Sequence, residues 1–474
     1  MDIQNLASSI NGKIKGADDF FTDFTGRFLF LNNADNGDIV IRHWINGRGV
    51  EIAASKNISC LITQNPKEGA IEKAEELNFP LIVVDKIELA NAYALKHAIA
   101  NFSSNSKNVI ITGTNGKSTT SHLIYHILNH AGFRVFTNTD SESEFNTLID
   151  PMVANLIASE VIDNGPLDYL VIEVSEVQGW LGNLMKNHAY LMADAVGADV
   201  GVITNIAMDH IGLVNSVEEV FDEIQAVPEA IKDSVILNHD DELVMNIDSC
   251  KNNYYCSMSP LNDVENAIYY DDGIIYNGDT ILKPHELPFN SYHFIQNILS
   301  AVGACIALGI DIEDIKNGVK SYKSLNRRFS KINEEPLIID DFAHNPDGIK
   351  ATIKETLKLV SKGKKLFIAC SIRGSRGIDI NKLNVEALVD SFNEDIDLTI
   401  SSSADVVDNL NTVHDDERNV FFDTLNKNNI DFAYFNTLED TLKSVYNRAS
   451  KDDVILLIGA QGMDPASDIL KDML

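Results

Sequence analysis

The sequence predicts an α/β fold built on parallel sheets and divided into three domains, and two observations carry that prediction. Short apolar runs without alternation, such as residues 109–112 and 169–174, are typical of strands buried on both faces of a parallel sheet, and segments of helical length separate them. A polar linker at 103–107 and a change of pattern near 323–335 divide the chain. We therefore expect domains at 1–107, 108–328 and 329–474.

Each domain shows its own alternation of strands and helices. In the first, strands are predicted at 27–31, 38–41, 60–63 and 81–84, and helices at 47–55, 68–77 and 88–100. In the middle domain, strands are predicted at 109–112, 169–174, 200–204 and 235–237, added β-structure at 254–257, 267–270 and 274–276, and helices at 118–130, 294–308 and 312–322. In the last domain, strands at 337–339, 366–370, 398–400 and 454–458 predict a doubly wound sheet.

Bulk composition excludes several classes of protein. The chain carries 70 Asp and Glu residues against 38 Lys and Arg, a net charge of −32, so its field repels polyanions and no nucleic-acid partner is expected. None of the five cysteines forms a CxxC pair, so we expect neither disulfides nor a zinc knuckle. No apolar run approaches about 18 residues, and the N-terminus lacks a basic region. We expect a cytoplasmic monomer without a membrane partner.

The run Gly113-Thr114-Asn115-Gly116-Lys117-Ser118-Thr119 lies between a predicted strand and a predicted helix, which is the setting of a phosphate-binding loop. Glycines let backbone N–H groups approach phosphate oxygens, and the start of the helix adds partial positive charge. The general pattern GxxxxGK[ST] would place a glycine where this chain has Ile111, so the match is to a shorter loop. The alternative interpretation is a chance glycine turn.

Five further polar segments occur in an order that a lone phosphate loop would not predict. They are IEVS at 172–175, TNIAMDH at 204–210, His293 with Asn297, RRF at 327–329 and DDFAHNPD at 340–347. His293 and Asn297 are spaced by four, so they share one face of a helix. The first of these segments places the Glu173 carboxylate at the end of a predicted strand, and the second and last segments follow predicted strands.

As a set, these segments resemble the motifs of the Mur ligase superfamily, three-domain ATP-dependent ligases that form amide bonds. GTNGKST, the Glu after a strand, NxxxDH, HxxxN, RF and D-[FY]-AHNP occur in the family's order over about residues 25–460. The first domain is similar to the acceptor-binding domain of the tripeptide-forming cell-wall ligases. The resemblance implies a three-domain Mur ligase architecture, with a central P-loop ATPase-like parallel sheet and a Rossmann-like C-terminal domain.

The resemblance also implies which residues bind phosphate and metal. The loop from Gly113 to Thr119 would bind ATP, with Lys117 on the β- and γ-phosphates. Ser118 and Glu173 would hold a first Mg²⁺, and His210 would hold a second. Taken alone, Glu173 could instead be a strand-end charge, and His210 could be a loop histidine that caps its neighbours.

For the rest of the nucleotide, the resemblance implies a second group of residues. Asn297 would contact adenine, and Arg328 would reach the γ-phosphate across the domain gap and join Lys117, Glu173 and His210 as the catalytic group. Asp341 would hold the ribose, while His344 and Asn345 would line the nucleotide pocket.

Some polar residues in these motifs can instead be explained by a structural role. We interpret Arg327 as a solvated neighbour of Arg328, and Asp340 as a bystander to Asp341, although these two could exchange roles. His293 could be a core histidine, and Asn297 could cap or pack.

One departure from the family pattern concerns the second metal. Many members carry a lysine about fifteen residues beyond the DH histidine, which is carbamylated and helps to hold that ion. The corresponding position here is near Gln225, and glutamine cannot be carbamylated. Either the ion is held differently, or a water or the nearby Glu223 substitutes.

A second departure concerns the incoming amine. The diaminopimelate-adding ligases carry a DNPR segment, and the corresponding SSSAD at 401–405 does not match it. Arg373 and Arg376 follow a strand of the last domain and are candidates for binding a substrate carboxylate or phosphate. A plain solvent-facing loop is the alternative.

The divergence suggests the archaeal branch, most similar to the pseudomurein peptide ligases of methanogens. The substrates implied are ATP, a uridine-diphosphate-linked glutamyl peptide and an amino acid. The alternatives are another Mur-type amide ligase, polyglutamyl or cofactor-amidating, a phosphate-loop module without ligase chemistry, or a catalytically lapsed ligase.

Overall fold

A computed structural model describes residues 1–139, 148–180, 182–209, 212–288 and 291–473. The chain forms two compact units, the first of Met1–Asn290 and Phe294–Tyr322 and the second of Ser291–His293 and Lys323–Leu474. Two large, mainly parallel sheets lie in the first unit and one in the second, which confirms the α/β fold. Each predicted domain contains one of these sheets, while the exact boundaries stay predictions.

The first sheet has the strand order β1-β5-β4-β3-β2, with β1 antiparallel to β5 and the remaining pairs parallel. Its strands are β1 (Lys13–Lys15), β2 (Phe28–Leu29), β3 (Ile39–Ile45), β4 (Cys60–Pro66) and β5 (Leu81–Val83). The accompanying helices are α1 (Ile3–Ser9), α2 (Gly47–Ser55), α3 (Ala70–Glu76) and α4 (Ile87–Phe102).

The second sheet has nine strands in the order β16-β15-β14-β13-β12-β11-β6-β8-β7, parallel from β7 to β14 and antiparallel beyond. Strands of this region, including the small hairpin β9–β10, are β6 (Lys107–Thr112), β7 (Val135–Thr137), β8 (Tyr169–Glu173), β9 (Gly179–Trp180), β10 (Asn183–Leu184), β11 (Val200–Ile203), β12 (Ser234–Asn238), β13 (Asn252–Ser257), β14 (Ala267–Tyr270), β15 (Ile274–Tyr276) and β16 (Asp279–Leu282). Its helices are α5 (Lys117–His130), α6 (Met152–Asn164), α7 (His188–Val196), α8 (Val217–Ile224), α9 (Val227–Ala230), α10 (Glu242–Met245), α11 (Tyr292–Ala307) and α12 (Ile312–Ser321).

The third sheet has the order β17-β18-β22-β19-β20-β21, in which only the β17–β18 pair is antiparallel. Its strands are β17 (Ser330–Glu334), β18 (Leu337–Asp341), β19 (Leu366–Ser371), β20 (Ile396–Ser401), β21 (Phe432–Phe435) and β22 (Val454–Ile458). The helices are α13 (Pro346–Leu357), α14 (Ile378–Ser391), α15 (Asp415–Lys427), α16 (Leu438–Arg448) and α17 (Ala466–Lys471). In the described part of the chain, no helix combines the length and the apolarity needed to cross a membrane.

The central strands contain unbroken apolar runs because both of their faces are buried. On β6, Val109 and Ile111 belong to one apolar cluster and Ile110 to another, as alternation along a strand requires. The strands that the sequence did not predict include the edge strands β1, β7, β16, β17 and β21. An edge strand pairs on one side and is partly exposed, so it lacks the continuous apolar run that marks a central strand.

The interpretation of Arg327 as a solvated residue is wrong. It is only 4 % exposed, and its guanidinium donates to the carbonyls of Gly459 and Ala460 (2.5 and 3.1 Å) and to Asp340 Oδ1 (3.4 Å). It also forms an ion pair with Asp464. Asp340 is therefore the buried partner of Arg327 and not a bystander. The two are brought together because β18 and β22 are parallel neighbours, so the ends of both strands reach the same arginine.

Burial raises the pKa of Asp340 to about 6 from its ordinary value of 3.8, and the nearby Arg327 guanidinium offsets only part of that rise. The folded protein therefore holds this proton more tightly than the unfolded chain does. Its contribution to stability is full below about pH 4 and is lost as the pH rises through about 6.

We predict that the free energy of unfolding of the native protein, relative to that of Asp340→Asn, falls by on the order of 3 kcal/mol between pH 4 and pH 7. The measurement is urea unfolding of both proteins at a series of pH values, followed by circular dichroism. Groups common to both proteins cancel in the difference. A difference that stays constant, or that grows with pH, would contradict the prediction.

Candidate active site

The loop between β6 and α5 needs glycine at two positions. Gly113 and Gly116 have φ angles of 117° and 84°, in the left-handed region that side chains other than glycine rarely adopt. A Cβ atom on Gly113 would lie 2.3 Å from Thr204 Oγ1, and one on Gly116 would lie 2.3 Å from Asn297 Oδ1. The predicted strand–loop–helix arrangement is therefore present, with both glycines in sterically crowded positions.

The segment after β11 holds this loop in place. Asn205 Oδ1 accepts a hydrogen bond from the backbone N–H of Asn115 (2.9 Å), and Asn205 Nδ2 donates to the Asn115 carbonyl (2.8 Å). The backbone N–H of Thr114 donates to the Asn205 carbonyl (2.9 Å), and Thr114 Oγ1 donates to the Ala207 carbonyl (3.1 Å). Two segments separated by about ninety residues thus meet at the carboxyl edge of the second sheet.

Lys117 is the first residue of α5, and its ammonium group is largely buried. Lys117 Nζ donates to the carbonyls of Gly113 (2.7 Å) and Thr114 (2.8 Å) and to Glu176 Oε2 (2.8 Å). Burial alone would lower the pKa of Lys117, but the carboxylates of Glu176, Glu173 and Asp209 raise it above its ordinary value. The side chain therefore stays a cation, as phosphate binding requires.

Glu176 is a site residue that the sequence reasoning missed. Its carboxylate is fully buried, and its ion pair with Lys117 places it within the phosphate loop's immediate surroundings. The signal was a second carboxylate three residues after Glu173, in the short segment that follows β8.

Glu173 and Ser118 lie together as predicted. Ser118 Oγ donates to Glu173 Oε1 at 3.1 Å, and Thr139 Oγ1 donates to Glu173 Oε2 at 3.0 Å. Hydroxyl and carboxylate oxygens are the ligands that Mg²⁺ prefers, so the chemistry of this pair fits a magnesium ion. His210, the predicted ligand of a second ion, lies outside the described residues.

The two residues considered for the second metal site are occupied by other contacts. Gln225 is exposed, and its Nε2 donates to Asp222 Oδ1 at 2.8 Å. Glu223 is buried, and its Oε2 accepts from the backbone N–H of Asn187 at 2.5 Å. Among the residues that the structure describes, no group of three or more His, Cys, Asp or Glu side chains is arranged to hold a metal. The magnesium prediction therefore rests on Ser118 and Glu173.

Asn297 lies on α11 against the phosphate loop. Its Oδ1 accepts a hydrogen bond from Thr120 Oγ1 at 3.4 Å and is the atom that crowds Gly116. The predicted contact of Asn297 with adenine stays a prediction. His293 is exposed, so its interpretation as a core histidine is wrong.

In the second unit, Asp341 organises the two predicted motifs around it. Its carboxylate accepts hydrogen bonds from the backbone N–H groups of Phe329 (2.7 Å) and Ala343 (2.9 Å) and from Thr352 Oγ1 (3.0 Å). Burial raises the pKa of Asp341, and the Arg328 guanidinium opposes that rise. The RRF and DFAHNP segments thus meet at one carboxylate, while the ribose role of Asp341 stays a prediction.

The side chains beside Asp341 pack on Phe342. The guanidinium of Arg328 lies 4.9 Å from the centre of the Phe342 ring, and the His344 ring meets the same aromatic edge-on at 5.0 Å. Asn345 caps α13, because its Oδ1 accepts from the backbone N–H of Gly348 at 2.8 Å. Their roles toward a nucleotide stay predictions.

The loop that carries Arg373 and Arg376 is bound to Glu417, a buried residue that the sequence reasoning did not single out. The carboxylate of Glu417 accepts from the backbone N–H groups of Ser375 (3.0 Å), Arg376 (2.8 Å) and Gly377 (2.6 Å). Both arginines are half-buried, so the alternative of a plain solvent-facing loop is wrong. That Arg373 and Arg376 bind a substrate carboxylate or phosphate stays a prediction.

A cavity of about 520 Å³ opens beside the first sheet, and we call it the tryptophan cavity. It lies at the carboxyl ends of β3 and β4 and beside the hairpin β9–β10, and both tryptophans of the chain line it. Its lining residues are His43, Trp44, Gln64, Asn65, Lys67, Asp85, Lys86, Glu88, Trp180, Asn183, Leu184 and Met185. Ligands of open α/β sheets bind at this edge, so the cavity is a candidate substrate site.

Comparison with known proteins supplies independent findings. Residues 111–305 match the family model of the Mur ligase middle domain, and residues 327–461 match that of the Mur ligase, glutamate ligase domain. The chain is 28 % identical over 384 residues to a UDP-N-acetylmuramate–L-alanine ligase from Caldicellulosiruptor bescii, which covers 77 % of this chain and 76 % of the relative.

Solved structures share the fold. A pseudomurein peptide ligase type C from Methanothermus fervidus superposes with a TM-score of 0.59 and 20 % identity, over 92 % of this chain and 95 % of that one. A MurF ligase from Thermotoga maritima in complex with ADP gives a TM-score of 0.63 and 17 % identity, over 96 % of each chain. The two family domains together span more than two thirds of the sequence. They confirm the resemblance of the motifs: the chain belongs to the Mur ligases, a superfamily of ATP-dependent enzymes that form amide bonds.

Proposed function

We propose that this protein joins the carboxylate of a uridine-diphosphate-linked glutamyl peptide to an amino acid, with ATP as the driving substrate, in the cytoplasmic synthesis of pseudomurein precursors. The observation that carries the proposal is the phosphate loop, with its buried Lys117 ammonium beside Glu176 and its Ser118 hydroxyl on Glu173. The curated relative named above also joins a nucleotide-linked acid to an amino acid, which supports this class of substrates.

The chemistry follows from the poor reactivity of a carboxylate toward amines. An acceptor carboxylate oxygen attacks the γ-phosphorus of ATP, ADP leaves, and an acyl phosphate results. The amine nitrogen then attacks the acyl carbon and loses a proton, and the C–O bond to phosphate breaks, which releases inorganic phosphate and the amide. The barrier falls mainly through positioning and through neutralisation of charge on the transferring group.

The loop residues suit the first of these steps. The backbone N–H groups of the loop and the start of α5 would bind the phosphates, and Lys117 would place its positive charge on the β- and γ-phosphates. Ser118 and Glu173 would hold Mg²⁺, which supplies further charge neutralisation when bound. The roles of Arg328, Asp341, His344 and Asn345 toward ATP, and of Arg373 and Arg376 toward the amino acid, remain part of the proposal.

The tryptophan cavity is the site that we assign to the acceptor. Two indoles offer flat apolar faces for a nucleobase. Lys67 and Lys86 line the cavity, and Arg42 lies 6.0 Å from the Trp44 ring centre, so cations are available for a diphosphate within an otherwise strongly acidic protein. The carboxyl-edge position of the cavity on the first sheet supports the same assignment.

We predict that Lys117→Ala lowers ATP-dependent amide formation by at least about a thousandfold, because charge on the transferring phosphoryl group then goes uncompensated. The measurement is phosphate release in a coupled assay, with circular dichroism to verify the fold. Lys232→Ala, which removes an exposed lysine of the same unit, is the matched control and should leave the rate unchanged. Normal turnover by Lys117→Ala would defeat the assignment of the loop.

A substrate screen tests the proposed acceptor. Phosphate release is measured with uridine-diphosphate-linked glutamyl peptides of different length, each against a panel of amino acids. We expect release to require both the nucleotide-linked peptide and one amino acid. Activity with polyglutamyl or cofactor acids instead would move the enzyme to another Mur-type ligase. ATP binding without turnover on any pair would indicate a lapsed ligase.

A further inference from the structure

A single short segment connects the phosphate loop to the tryptophan cavity. It begins at Glu173, the last residue of β8, and ends at Trp180, which lines the cavity. Trp180 is the fourth residue after Glu176, so their Cα atoms are at most about 14 Å apart. The two sites of the proposed function are therefore joined by one continuous stretch of backbone within the first unit.

At the near end, the segment is attached to the lysine of the loop. An ammonium group has three N–H donors, and the three of Lys117 are directed to two loop carbonyls and to Glu176. A phosphate that approaches Lys117 must take over at least one of these donors. Glu176 is the charged acceptor among the three, and two anions on one ammonium repel each other, so phosphate binding acts on Glu176 most strongly.

At the far end, the segment is attached to the first sheet. The Trp180 indole is stacked on the His43 imidazole, with ring centres 4.0 Å apart and an interplanar angle of 18°. His43 lies on β3, and its Nε2 is hydrogen-bonded to the Ile149 carbonyl at 3.2 Å. Met185, whose backbone N–H donates to the Gln178 carbonyl, is buried in the apolar core of the first sheet.

The backbone between Glu176 and Trp180 is held by hydrogen bonds and by packing. Ser175 Oγ donates to the Val177 carbonyl at 2.7 Å, and Val177 is fully buried in the core of the second sheet. The backbone N–H of Met185 donates to the Gln178 carbonyl at 2.8 Å, which closes the hairpin. A Cβ on Gly179 would lie 2.5 Å from the Leu213 side chain. Hydrogen bonds and packing thus hold the backbone between Glu176 and Trp180, which gives a displacement at Glu176 a packed route toward the indole.

We infer that Glu176 and Trp180 are positioning residues that couple occupancy of the tryptophan cavity to the placement of the Lys117 ammonium. The inference rests on the proposed function for what fills the two sites. Phosphate at Lys117 draws the ammonium from Glu176 and shifts the Trp180 indole. By thermodynamic reciprocity, acceptor binding at Trp180 changes the affinity for nucleotide by the same factor, of about 5- to 150-fold for typical couplings. The residues Glu176 and Trp180 would thus make the lysine respond to the acceptor.

The chain carries its own reporter for this coupling, because both of its tryptophans line the cavity. Intrinsic tryptophan fluorescence is recorded while ADP is added to the full-length protein, and calorimetry on the same samples measures binding. We expect emission to change with the same midpoint as the heat. Inorganic tripolyphosphate, which has no base that could enter the cavity, should produce the same change.

Substitutions test which residues the fluorescence change depends on. The change should persist in Trp44→Phe, where Trp180 is the remaining indole, and should disappear in Trp180→Phe. It should also be lost in Glu176→Gln although ADP still binds, and be restored at least in part by Glu176→Asp, which keeps the charge. Glu229→Gln, at an exposed glutamate of the same unit, is the matched control and should behave like the native protein.

Three results would overturn the inference. The first is ADP binding by calorimetry with no change in emission, and the second is a change that survives intact in Glu176→Gln. A response to ADP but not to tripolyphosphate would also contradict it, because the base would then be acting in the cavity directly. Absence of any ADP binding would instead count against the proposed function, so the two failures are distinguishable. If Glu176→Gln does not fold, the pair Trp44→Phe and Trp180→Phe still tests whether phosphate binding reaches Trp180, and a change that survives in Trp180→Phe would then overturn the inference.

Discussion

The structure of the site depends on one buried cation, the ammonium of Lys117. Glu176 and two loop carbonyls stabilise the cation in this position, and the lysine in turn stabilises the fully buried carboxylate of Glu176. The carbonyls can converge on the lysine because Gly113 and Gly116 take left-handed conformations. Removing either charge would take a close ionic partner away from the other.

The sheets bring these groups together. In the second sheet, β6, β8 and β11 are parallel neighbours, so the loop, Glu173 and Asn205 all follow strand ends at the same edge. In the third sheet, the same geometry places Asp340 and Asp341 at the end of β18, beside the turn that follows β22. The continuous apolar runs of the central strands, packed on both faces, fix these edges, and the polar groups that carry chemistry are the first residues beyond them.

Much of this could be predicted from the sequence, because the signals are local. Buried parallel strands are recognisable by their unbroken apolar runs, and a glycine turn before Lys-Ser is recognisable by its spacing. The contacts of Glu176, Arg327 and Glu417 could not be predicted, because each depends on residues distant in the chain: Lys117, the end of β22, and the backbone of residues 375–377. Arg327 shows the difficulty well, since an Arg-Arg pair gives no indication of which arginine is buried. The roles proposed for these residues toward ATP come from the resemblance to the Mur ligases. Neither the sequence pattern nor the packing of the side chains identifies the ligand.

We propose that the backbone of this loop binds the phosphates of a nucleotide, with Lys117 as its cation. Hydrogen–deuterium exchange of the amides of residues 113–119, with and without ADP and Mg²⁺, tests it most directly. We expect nucleotide to slow exchange in this peptide more than elsewhere in the first unit, because the loop N–H groups become phosphate donors. Unchanged exchange across 113–119 under conditions where calorimetry shows ADP bound would contradict it.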